Sequence, residues 1–141
     1  MKKSAIYRII DANLNRAREG LRVCEDTARF ILNNSNLTLR FKRIRHRLTE
    51  ISKRLPTRPT QLIKARNSQN DIGKYLFAPD QKKYNKRQVK EIFIANIRRT
   101  EEAMRVLEEF SKTIDKEISD NFGKLRFKIY ALEKETLGCF H

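Results

Sequence analysis

Apolar and small residues recur at Ile10, Leu14, Ala17, Leu21, Cys24, Ala28 and Ile31, in steps of four and three. That spacing keeps them on one face of a helix and predicts a first helix from about Ala5 to Asn33. The polar run Asn33–Asn36 stops it. Leu37, Phe41, Ile44, Leu48 and Ile51 set the face of a second helix, from about Leu37 to Leu55, ended by Pro56 and Pro59. The stretch 57–84 is less regular. Gln61–Arg66 reads as a short helical turn, and Asn67, Asn70, Gly73 and Pro79 favour turns. Phe93, Ile97, Met104, Leu107 and Ile114 predict a third helix from about Lys86 to Ile114. Phe122, Leu125, Ile129 and Leu132 predict a fourth from about Asp120 to Thr136. Short connections join helices one to two and three to four. The expected fold is all-α: a four-helix bundle-like domain made of two helix hairpins around a loop-rich middle segment.

The two hairpins are related in sequence. Residues 13–26, NLNRAREGLRVCED, match residues 96–109, NIRRTEEAMRVLEE, without gaps. Asn13/Asn96, Arg16/Arg99, Glu19/Glu102, Arg22/Arg105, Val23/Val106 and Glu25/Glu108 are identical, and Asp26 matches Glu109 in charge. The second helices echo this more weakly, with Ile44-Arg45 on Leu125-Arg126. One domain over 1–141 is expected, with repeat units at about 5–55 and 86–137, a connector at about 56–85, and a pseudo-two-fold arrangement within the chain.

Composition sharpens this in three ways. The 32 Lys and Arg against 17 Asp and Glu give a net charge of +15. Ten of the basic residues lie between Arg40 and Arg66, with Glu50 the one acid there. Such a field recruits polyanions or phosphorylated small molecules, although a merely well-solvated basic surface has the same composition. The two cysteines, Cys24 and Cys139, have no metal-ligand spacing, and Cys24 falls on the apolar stripe. No apolar run reaches membrane-spanning length, and MKKSAIYRIIDAN has no signal-peptide core, so a cytoplasmic protein is expected.

A helix turns by about 100° per residue. On that wheel Asn13 lies beside Cys24, Arg16 between Val23 and Thr27, and Arg99 between Val106 and Phe110. Polar groups therefore stand within the inward face, flanked by Glu19 and Asp26 in one copy and by Glu102 and Glu109 in the other. An inward Arg is costly unless it is paired or held against an anion. One reading is a buried Arg–Glu network that cross-links the bundle. The other is a phosphate- and metal-binding cavity on the pseudo-dyad. Spacing alone leaves the two about even. Arg22 and Arg105 point outward, where i,i+4 pairs with Asp26 and Glu109 are expected.

The runs RIIDANLNRAREGLRVCEDTARF, RIRHRL, ARNSQNDIGKY and ANIRRTEEAMRVLEEFSK resemble the all-helical hydroxymethylpyrimidine phosphate kinase family of thiamine biosynthesis. Members of that family stand alone or are fused in front of thiamine-phosphate synthase. The likeness runs from about Tyr7 to Glu133 and is weakest over Phe77–Tyr84. It implies a phosphotransferase that moves the γ-phosphoryl group of ATP onto 4-amino-5-hydroxymethyl-2-methylpyrimidine phosphate.

Phosphoryl transfer is mostly positioning and charge neutralisation. With four glycines and neither GxxxxGK[ST] nor GxGxxG, the chain has no glycine-rich phosphate cradle. Side chains must hold the phosphates. The candidates are Arg16, Arg99, Arg45, Arg66 and Arg126, with Arg45 and Arg126 expected to face the same cavity. Glu19, Asp26, Glu102 and Glu109 are the candidate Mg²⁺ ligands, more than Mg²⁺ needs. Asp71 is the candidate for orienting the substrate hydroxyl or binding metal, against a capping or turn role. Asn13 and Asn96 can read an aminopyrimidine or bridge helices. His46 aligns with Phe127 and reads as a packing residue. Competing readings are a regulatory or partner-binding module of thiamine-phosphate synthase and a basic nucleic-acid-binding protein. The second lacks a recognition motif. A homodimer is compatible with the spare apolar residues.

Overall fold

A computed structural model describes residues 2–57, 59–75 and 88–140. The described residues are all-α. Helix α1 spans Lys2–Asp26 and runs on into a π-helical turn, Thr27–Ile31. Helix α2 is Ser35–Ser52, α3 is Pro59–Ala65, α4 is Val89–Ser111 and α5 is Lys116–Leu137, with a 3₁₀ turn at Ile72–Tyr75. Phe77–Tyr84, the least family-like stretch, lies outside the described residues.

The stops and starts follow local chemistry. Asn33 takes a left-handed conformation (φ 52°), which Asn tolerates better than most residues. The Asn34 side chain then accepts from the Leu37 amide and caps α2. Asp115 caps α5 by accepting from Glu117 and Ile118, so that helix begins four residues before its expected start. Pro59 opens α3, where its missing N–H costs nothing.

The bundle has a simple cycle. α1 packs on α2 and α4, and α5 packs on α4 and α2. The C-terminal residues Val106 and Phe110 of α4 meet Ala5 and Ile9 of α1, while Gly20 meets Asn96 and Thr100. The two central helices are therefore antiparallel, which places the pseudo-two-fold axis across them. Gly20 permits their close approach: a Cβ there would sit 2.8 Å from the Asn96 carbonyl oxygen and nearer still to Thr100 Oγ1.

The apolar stripes form one core, with Ile10, Leu21, Phe41, Leu48, Phe93, Met104, Phe122 and Ile129 fully buried. Two expectations fail. Ile31 is 58% exposed rather than inward. The π-turn inserts an extra residue into its turn and rotates the face, so Leu32 packs on the core instead. His46 and Phe127 are both exposed and do not pack inward.

Candidate functional site

The antiparallel α1–α4 pair opens into a pocket of about 450 Å³. Asn13, Arg16, Glu19 and Gly20 line it from α1, and Asn96, Arg99, Glu102 and Ala103 from α4, with Val106 at one end. The four α1 residues and the four α4 residues are repeat counterparts, and the antiparallel pairing sets Gly20 against Asn96. The repeat thus brings together six of the predicted site residues: Asn13, Arg16, Glu19, Asn96, Arg99 and Glu102.

Their details match between the halves. Asn13 Nδ2 donates to the Ile9 carbonyl at 2.8 Å, and Asn96 Nδ2 donates to the Ile92 carbonyl at 2.8 Å. One amide hydrogen of each is thereby held on its own helix. Arg16 reaches Asn13 Oδ1 only at 3.4 Å. Among the described residues, none of Arg16, Arg99, Glu19 and Glu102 takes part in an ion pair. All four are exposed, which corrects the expectation that the arginines point into the core. The wheel places them on the α1–α4 side of the stripe, and that side is open to solvent.

A second pocket, about 600 Å³, continues from the first and shares Asn13, Arg16 and Val106 with it. Here the connector supplies the wall, through Arg66, Asn67, Ser68 and Asp71. Arg66 holds it there by donating Nε and Nη2 to the two oxygens of Asp11, at 2.8 and 2.9 Å. Those hydrogen bonds, and the charge of Asp11, raise the Arg66 pKa above its ordinary value. Asp71 Oδ1 accepts from the Gly73 amide at 2.9 Å, which orders the turn. Arg66 and Asp71 thus border the site, as predicted residues, but Arg66 is committed to a carboxylate.

Asp11 was not foreseen. Its signal in the sequence is a break in the repeat, because the matching position is Ile94. A buried Asp with no counterpart in the second copy needs a partner from elsewhere in the chain, and Arg66 is that partner.

The remaining candidates lie elsewhere. Arg45 and Arg126 line neither pocket. Arg45 Nε donates to Glu25 Oε1 at 3.1 Å, and Arg126 Nη2 donates to Glu108 Oε1 at 3.0 Å. These are the same ion pair in the two copies, each tying the second helix of a hairpin to its first. The cross-linking Arg–Glu network therefore exists, built from Arg45 and Arg126 rather than from Arg16 and Arg99. Asp26 and Glu109 also lie outside the pocket, so four carboxylates do not converge. Glu109 pairs with Arg105 and Lys112, and Arg22 pairs with Glu25 rather than Asp26. Among the described residues no group of three or more His, Cys, Asp or Glu is placed to hold a metal. Among the described residues, Glu19 and Glu102 are the two carboxylates that line the dyad pocket with Arg16 and Arg99. No helix among the described residues is long and apolar enough to cross a membrane.

Fold and site together define a class: a pseudo-symmetric helical bundle with an arginine- and glutamate-lined pocket on its dyad. The chain belongs to the ThiD2 family, whose profile matches residues 8–135. It is 39% identical over 136 residues to a thiamine-phosphate synthase of Nostoc punctiforme, covering 96% of this chain and 36% of that protein. A thiamine-phosphate synthase of Synechocystis is 41% identical over 135 residues, covering 96% of this chain and 37% of the relative. One from Rhodopirellula baltica is 38% identical over 130 residues, covering 92% and 34%. The chain thus spans little more than a third of the length of these curated relatives. No solved structure matches it.

Proposed function

We propose that the chain is an ATP-dependent kinase of thiamine biosynthesis that phosphorylates 4-amino-5-hydroxymethyl-2-methylpyrimidine phosphate to its diphosphate. The observation that carries this reading is the set of uncommitted charges on the dyad. Arg16, Arg99, Glu19 and Glu102 face one pocket and take part in no ion pair among the described residues, while Arg45, Arg66, Arg105 and Arg126 are all paired. Two free cations suit phosphate oxygens, which Arg binds bidentately. Two carboxylates are enough for Mg²⁺, which fills its other positions with phosphate and water. Bound there, the ion would neutralise charge on the transferring phosphate.

In this reading an oxygen of the substrate's phosphate forms a bond to the γ-phosphorus as the bond from that phosphorus to the β,γ-bridging oxygen breaks. ADP leaves with the electron pair, and any proton on the attacking phosphate oxygen is released. Arg16 and Arg99 hold the phosphate oxygens in line and offset the charge that builds on them. Glu19 and Glu102 would hold the metal. The connector-walled pocket takes the pyrimidine, because the donor's charges belong beside the free arginines. Asp71 stands on that wall, where it would take the proton of a singly ionised acceptor phosphate. The Oδ1 atom of Asn13, which lines both pockets, is an acceptor for an exocyclic amino group.

Purified protein supplied with the pyrimidine monophosphate, ATP and Mg²⁺ should give diphosphate and ADP in equal amounts, read by ³¹P NMR. A second reading comes from the curated relatives, of which this chain matches about a third: a partner module of thiamine-phosphate synthase. No turnover with intact substrate, together with tight association with that enzyme, would favour the module over the kinase.

A further inference from the structure

The opposite face of the bundle carries a separate groove, between α2 and α5. Because α1 packs on α4 while α2 packs on α5, this groove is separated from the dyad pocket by two helix layers, whose axes lie about 10 Å apart. It consists of two adjoining hollows, of about 270 and 360 Å³, that share Arg47, Leu125 and Lys128. Arg40 and Arg43 line it from α2, Lys124 and Lys128 from α5, and among the described residues no acidic side chain lines it. Arg40 is engaged by Glu135 and Arg47 by Glu50. Among the described residues Arg43, Lys124 and Lys128 have no ion pair or hydrogen bond.

Two further features are not electrostatic. Phe127 lines the same hollow and is 65% exposed, with its ring near Tyr130 (6.1 Å between centroids) and the Arg126 guanidinium 4.8 Å from its centroid. Asn121 also lines it, and its Nδ2 is buried without a hydrogen-bond partner among the described residues. A buried unpaired amide donor is costly unless a ligand acceptor meets it. The groove therefore offers a flat aromatic face, an idle amide and several cations within one site.

We propose that the α2–α5 groove is a nucleotide site distinct from the dyad pocket, with a base stacked on Phe127 and its phosphates between Arg43, Lys124 and Lys128. Aromatic faces accept any base, and cations alone would not select for one. An acidic peptide would use the charges but leave Phe127 idle. The ligand chemistry is a nucleoside phosphate, supplied either as a free nucleotide or as a single strand. The assignment does not rest on the kinase reading.

The probe is a fluorescein-labelled hexa-adenylate single strand, followed by anisotropy at about physiological ionic strength, where generic phosphate attraction is weakened. Phe127→Ala should weaken binding about fivefold or more. The Arg43→Glu/Lys128→Glu variant should weaken it about tenfold or more. Arg16→Ala/Arg99→Ala should bind as the parent does. Helical circular dichroism confirms that each variant is folded. Competition with ATP identifies the source: displacement at micromolar ATP marks a free nucleotide, and resistance to ATP marks a strand. Unchanged binding in Phe127→Ala, equal binding to polyglutamate, or loss of binding in Arg16→Ala/Arg99→Ala would each overturn the assignment.

Discussion

Arg66 grips Asp11 with two hydrogen bonds, at 2.8 and 2.9 Å, and this pair makes a two-fold pocket one-sided. The dyad pocket is lined by matched residues from α1 and α4. The connector wall stands only on the α1 N-terminal side, where Asp11 has Ile94 as its repeat counterpart. A reaction with different donor and acceptor needs such a difference. In the proposed reaction Arg66 and Asp11 are positioning residues. Arg66→Ala should raise KM for the pyrimidine phosphate about tenfold with a smaller change in kcat. Steady-state kinetics at saturating ATP checks this, and an unchanged KM would remove the connector wall from substrate binding.

The pairs Arg45–Glu25 and Arg126–Glu108 are structural. The Arg126 and Glu108 side chains are 10% and 17% exposed, so removing the guanidinium leaves a largely buried carboxylate. Arg126→Ala should cost about 2–3 kcal/mol of folding stability, below the range for a fully buried pair because water still reaches the site. Urea denaturation measures it. Activity per folded molecule should stay near that of the parent, since neither arginine lines the pocket. A specific loss of activity in a stable Arg126 variant would return it to the phosphate-binding set.

Much of this was legible in the sequence and some was not. The core faces of α2, α4 and α5 follow from 3.6-residue periodicity, because buried stripes of Leu, Ile and Phe have no other use. The gapless repeat located the pocket, since a pocket on a dyad is lined by the same positions of both copies. Periodicity does not say on which edge of a stripe water enters, so Arg16 was expected inside and lies exposed. It also cannot separate a cation that binds ligand from one that binds a neighbouring helix. Arg45 and Arg126 find their carboxylates on the partner helix of the hairpin, a tertiary contact. The π-turn that turns Ile31 outward leaves no compositional trace.

Gly20 keeps α1 and α4 close enough to share a pocket. A methyl group at this position meets Thr100 and the Asn96 carbonyl, and backbone cannot move aside cheaply. Gly20→Ala should therefore destabilise the fold by about 1–3 kcal/mol despite the better helix propensity of Ala. Thermal unfolding checks this. A more stable variant would mean that the helices separate without penalty.

A pH dependence of stability comes from α4 and α5. Burial, then the hydrogen bond and charge of the neighbouring Glu133, push the Glu101 carboxyl from its ordinary 4.5 up to about 8, with Arg98 pulling it back and Glu102 adding to the rise. Between those values the folded chain holds a proton that the unfolded chain releases. Stability should therefore decline as pH rises from about 4.5 to about 8 and level off above. The nearby Cys24 thiol is raised by burial and then by Glu101 and Glu133, so it stays protonated throughout that window. Glu101→Gln should flatten the decline. Melting temperatures of both proteins between pH 5 and 9 test this, and parallel curves would assign the dependence to other groups.

The central claim is that the repeated arginines on the dyad perform phosphoryl transfer. Turnover of the pyrimidine monophosphate with ATP and Mg²⁺, compared between the parent and Arg16→Ala and Arg99→Ala, tests it most directly. The account predicts diphosphate formation by the parent and a loss of about a hundredfold or more in kcat/KM for each variant, about 2.7 kcal/mol of transition-state stabilisation, with helical circular dichroism intact. Full activity in both variants would contradict it.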